Sequence, residues 1–86
     1  MAASSRFYMH IHNMSQQGLV AFLEATFADG PRHQEVWTST ITITWSWNGM
    51  GAGQAYTACD RSKQAARDTA SRMAIQAMGV NTDNLP

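Results

Sequence analysis

The chain has 86 residues, 44% of them hydrophobic and 14% charged, with three Trp, three Phe and six Met. That is enough for one globular core and too little for two, because so short a chain buries only about 60–65% of the surface its unfolded form exposes. Six basic residues balance six acidic ones, which argues against a protein that coats nucleic acid by bulk charge and leaves only local clustering as a source of such binding. A single cysteine excludes an intrachain disulfide, and no apolar run approaches a membrane span or a signal-peptide core, so the sequence reads as soluble and intracellular, either cytoplasmic or nuclear.

In chain order, "MAASS" is a loose start. "RFYMHIH" (6–12) alternates Phe7, Met9 and Ile11 with Tyr8, His10 and His12, the period of a short edge strand. From Ser15 the spacing of Leu19, Phe22, Leu23 and Phe27 predicts a helix ending near Thr26, with Asn13 or Ser15 as its cap. "ADGPRH" breaks it, because Pro31 fixes its own torsion and disfavours a helical residue before it. "QEVWTSTITITWSW" is the clearest strand, with Trp37, Ile41, Ile43, Trp45 and Trp47 on the core parity and Thr38, Thr40, Thr42, Thr44 and Ser46 on the wet one. "NGMGAG" turns the chain and "QAYTAC" returns as a second strand, making a hairpin. A second helix begins at Ser62 and runs to about Met78, with Ala66, Ala70, Met73, Ala74 and Ala77 as its apolar stripe and Gly79 as its stop. The organisation predicted is an N-terminal extension over 1–13, a domain over 14–79 and a flexible tail over 80–86.

Two helices and a hairpin bury a core when both helices lie on one face of the sheet, so the fold class is α+β. Two strands make a thin platform, and a third is expected either from 7–12 or from the short segment around Phe27.

Four of the six basic residues, Arg61, Lys63, Arg67 and Arg72, fall within twelve positions. On a helix starting at Ser62, Lys63, Gln64 and Arg67 share one side of the first two turns, opposite Ala66 and Ala70, and so face solvent. Backbone N–H groups and the positive end of the helix dipole favour anions at the same place, which makes phosphate the natural ligand chemistry. The order Gly30-Pro31-Arg32-His33, long strand, Gly-rich turn, strand, and then Ser62-Lys63-Gln64-Ala65-Ala66-Arg67 resembles the double-stranded RNA-binding domain family. The resemblance spans roughly residues 14–79. It implies a small α-β-β-(β)-α domain that reads duplex RNA by shape, since the shallow minor groove of RNA displays 2′-hydroxyls and its deep major groove leaves only phosphates to touch.

Carried over residue by residue, Lys63 and Arg67 match two of the family's three phosphate-binding lysines, Ser62 matches the serine before them, and Gln64 stands in place of the middle lysine. Arg61 and Arg32 extend the cationic set. Pro31 and His33 match a loop that enters the minor groove, with His33 placed to donate to a ribose hydroxyl or backbone oxygen. Glu24 looks like the first-helix glutamate that reaches 2′-hydroxyls. Double-stranded RNA is the partner this implies. The alternative is a domain of the same type used for protein contact or homodimerisation, favoured by the neutral composition and by more Trp and Met than a small core hides.

Other signals are weaker. His10 and His12 would share one side of a strand, and with His33 could face a metal, but no further ligand completes the set. Gly49, Gly51 and Gly53 join two strands and do not open a helix, so they make a hairpin turn and not a phosphate loop. Cys59 reads as a small buried hydrophobe. No paired carboxylates or nucleophile–base pattern stands out, so neither enzyme activity nor a cofactor or metal is expected.

Overall fold

In the computed structural model, which describes residues 6–80, the chain runs through α1 (Arg6–Gln16), β1 (Val20–Asp29), β2 (Val36–Ser46), β3 (Gln54–Asp60) and α2 (Lys63–Ala77). The three strands form one antiparallel sheet in the order β1-β2-β3. Both helices pack against one face of it, α2 mainly over β2 and β3 and α1 against α2 and the side of β1. This is the α+β class expected. The loose start at 1–5 and positions 81–86 of the expected tail lie outside the described residues.

Within that class two segments differ from their expected state. Residues 7–12 belong to α1 and do not supply the third strand, and the helix expected from Ser15 to Thr26 is instead the end of α1, a turn and most of β1. The reason lies at Gly18, which has φ of 78°. Leu19 N–H donates to Met14 C=O at 2.9 Å and Gly18 N–H to Ser15 C=O at 3.1 Å, a pair of bonds that closes a helix through a left-handed residue. α2 ends in the same way, with Val80 N–H on Ile75 C=O at 3.3 Å and Gly79 N–H on Gln76 C=O at 3.0 Å. The helix stop expected at Gly79 is therefore there. At its start Ser62 is the N-cap, its hydroxyl accepting from Ala65 N–H at 3.2 Å.

The core sits between sheet and helices. Ile11 and Met14 of α1, one turn apart, meet Ile41 and Ile43 of β2 and Ala70, Ala74 and Ile75 of α2, all buried. Residues 6–13 thus pack into the same core as the rest of the chain. The small Ala66, Ala70 and Ala74 let α2 approach the bulky Ile pair closely, as the stripe predicts, although Met73 is exposed and Ile75 and Met78 are buried in its stead.

β2 does not keep one parity along its length. Its pairing runs Val20 to Ser46 and Ala21 to Trp45, then Phe22 to Ile43, which leaves Thr44 as an extra residue. Such a bulge reverses which side chains face in. Ile41 and Ile43 are buried as expected, Trp37 is half-buried, Ser46 turns inward, and Trp45 and Trp47 are exposed rather than core.

Candidate functional site

The antiparallel register decides what meets what. Asp29 pairs with Val36 and Trp37 pairs with Asp60, so the loop 30–35 and the β3–α2 junction lie at the same end of the sheet. There Arg32, His33, Gln34, Glu35, Val36 and Arg61 line an open cleft of about 710 Å³. Pro31 closes the loop's turn by accepting from Gln34 N–H at 2.9 Å. Asp60 Oδ1 accepts from Arg61 N–H at 2.7 Å and so orders the junction. Lys63, in the first turn of α2, holds its ammonium 5.8 Å from the centre of the Trp37 ring, a cation–π arrangement that leaves the charged head in solvent. Ser62 and Gln64 are exposed beside it. Seven of the nine residues picked from sequence, Pro31, Arg32, His33, Arg61, Ser62, Lys63 and Gln64, therefore come together at one end.

The other two do not. Arg67 is half-buried, with its guanidinium 4.3 Å from the centre of the Tyr8 ring and its Nε making no hydrogen bond among the described residues. It faces α1 and is not part of the solvent-facing set. Glu24 is on β1, not on the first helix, so it does not occupy the position that a first-helix contact requires. Its carboxylate accepts from the Tyr8 hydroxyl at 3.1 Å and from Thr26, whose hydroxyl also meets Ser39 at 3.0 Å. Burial holds the Tyr8 hydroxyl protonated above its ordinary range, the Glu24 charge and hydrogen bond add to this, and Arg67 opposes it.

Sequence reasoning missed the seam these residues form. Asp68 Oδ1 accepts from Phe7 N–H at 2.7 Å and Tyr8 N–H at 3.1 Å, so a side chain of α2 caps the first turn of α1. Arg6 and Arg72 lie over the Phe7 ring at 4.9 and 5.6 Å. The six basic residues thus divide into three at the α1–α2 seam, each against an aromatic ring, and three at the loop end, Arg32, Arg61 and Lys63. An aromatic pair opening one helix and an Arg-Asp pair on another was the available signal.

The metal idea loses its premise, because two residues apart on a helix His10 and His12 diverge, and the His12 ring stacks edge-on against Tyr8 and Phe22 at 4.7 and 5.3 Å. Among the described residues no three of His, Cys, Asp and Glu are grouped to hold a metal ion, and no helix is long and apolar enough to cross a membrane. Cys59 is exposed, not buried, since its place on β3 turns it away from the helices. No protein-family model matches the chain, and no curated protein matches it.

Proposed function

We propose that this domain binds double-stranded RNA through the loop end of its sheet, with Arg32, Arg61 and Lys63 on phosphates and the Pro31–His33 loop in a minor groove. The observation that carries the reading is the convergence of two segments about thirty residues apart in sequence on one cleft lined by Arg32, His33 and Arg61. Ser62 and Gln64 add neutral donors next to Lys63, at a helix start whose N–H groups already favour anions. Arg67 supports the site from behind by fixing α2 against Tyr8, and Glu24 has no part in it. Contacts of this kind read the shape of an A-form duplex and its 2′-hydroxyls, not a base sequence.

The test is a salt titration of binding to an RNA duplex of about 16 base pairs, the span of one such domain, beside DNA of the same sequence. With about three phosphates neutralised, the slope of log K against log salt is about −2 to −3, and Lys63→Ala and Arg61→Ala each make it shallower by about 1. Equal affinity for RNA and DNA, or variants that leave both affinity and slope unchanged, would overturn the proposal.

A further inference from the structure

Residues paired across strands share a face of the sheet, and this register defines the side turned away from the helices. Ala21, Leu23, Ala25 and Phe27 of β1 stand beside Trp45, Thr42, Thr40 and Thr38 of β2, and the last three stand beside Ala55, Thr57 and Cys59 of β3. These rows carry no charged side chain, and the one charge that β1 adds on this side is Asp29, at the loop end beside Val36. Leu23, Phe27 and Trp45 are 65%, 56% and 52% exposed. The hydroxyls on this face bond laterally, Thr40 to Thr57 at 3.0 Å and Thr38 to the Cys59 thiol at 3.4 Å, so part of their polarity is already satisfied within the sheet. An antiparallel sheet with one wet face ordinarily presents polar and charged side chains there. Every basic residue of this chain is instead at the α1–α2 seam or the loop end.

We infer that this outer face packs against the same face of a second copy, giving a two-sheet sandwich across a two-fold axis. Charge favours a second copy over a charged partner: the rows offer no ion pair to such a partner, they oppose nothing in themselves, and a formal net charge of zero adds no long-range repulsion between copies. Shape favours it as well, because two twisted sheets stack about 10 Å apart with their strands about 30° from parallel, and the side chains of the two inner faces interdigitate. The ten residues of β1 span about 33 Å, and three strands at about 4.8 Å spacing are about 14 Å wide. The flat footprint is then about 460 Å² per copy, or about 900 Å² for both before side-chain relief adds to it, close to the lower bound of about 1,200 Å² for specific interfaces. The dimer therefore forms and dissociates with concentration.

The test is sedimentation equilibrium of the full chain over the micromolar range, together with the rate at which Cys59 is alkylated. Wild-type protein is expected to shift from one-copy to two-copy mass, with Cys59 reacting more slowly as concentration rises. Leu23→Thr/Phe27→Thr, which keeps strand-forming residues, is expected to stay at one-copy mass with a Cys59 rate independent of concentration. Thr40→Lys, which places a charge at the centre of the face, is expected to do the same and serves if the double variant does not fold. Wild-type protein that remains at one-copy mass, or a folded variant that dimerises as the wild type does, overturns the inference. RNA binding measured on Thr40→Lys keeps the two proposals separate, since this variant leaves the loop end untouched.

Discussion

Replacing Asp68 by Ala tests whether the two helices hold each other. Arg6 is the first residue of α1, so Phe7 and Tyr8 carry the N–H groups that an N-cap side chain ordinarily satisfies, and Asp68 takes both at 2.7 and 3.1 Å from another helix. Losing a capping acceptor costs about 0.5–2 kcal/mol, and a negative charge at a helix start adds about 0.3–1 kcal/mol. Together these give about 0.8–3 kcal/mol. Both N–H groups are partly buried, so water replaces the carboxylate only in part and a value of about 2 kcal/mol, above the bottom of that range, is expected. For a domain of this size that is a drop in Tm of about 8–16 °C. Urea unfolding followed by Trp fluorescence should show a lower midpoint with an unchanged slope. Asp68→Asn keeps an acceptor and loses the charge, so about 1 kcal/mol is expected. An Ala variant within about 0.5 kcal/mol of wild type, the range of an ordinary surface change, would refute the argument.

Three further outcomes follow from named positions. Because the folded state holds the Tyr8 proton more tightly than the unfolded chain does, this contribution to stability is complete below the unfolded value of about 10 and is lost as pH rises through the folded one. The advantage of wild type over Tyr8→Phe should therefore shrink above about pH 10 in paired thermal melts, and a constant difference would contradict the assignment. Ile41 is fully buried at the centre of the sheet, so Ile41→Ala should cost about 2–5 kcal/mol in chemical denaturation. A Cβ added at Gly18 meets nothing within 4 Å, so Gly18→Ala should lose only the cost of the left-handed torsion, about 1–2 kcal/mol by the same measurement.

The second half of the chain is legible because several signals agree there. Thr-rich alternation, Asn-Gly at the turn, a Ser cap and a Gly stop all point to a hairpin followed by a helix. The first half is ambiguous in its own terms. Phe7, Ile11 and Met14 fit a helical face as well as Phe7, Met9 and Ile11 fit a strand, and seven residues are too few to separate the periods. Leu19, Phe22, Leu23 and Phe27 fit a helix, yet Val20 and Phe22 turn to one face of the sheet because pairing with β2 decides the state of a segment with weak intrinsic preference. Gly18 was the punctuation that separated the two. The loop-end cluster was readable since motif order and antiparallel register put it together, whereas the placements of Arg67, Glu24 and Trp45 depended on a helix–helix seam and a one-residue bulge that linear spacing does not encode.

The cap on α1 also sets an order of events. Phe7 and the residue that satisfies its N–H are 61 positions apart, so during synthesis α1 leaves the ribosome long before its cap exists. An eleven-residue helix is marginal on its own in water. Of the described helices, α1 is therefore made well before the side chain that caps it, and its capping waits on α2 to dock.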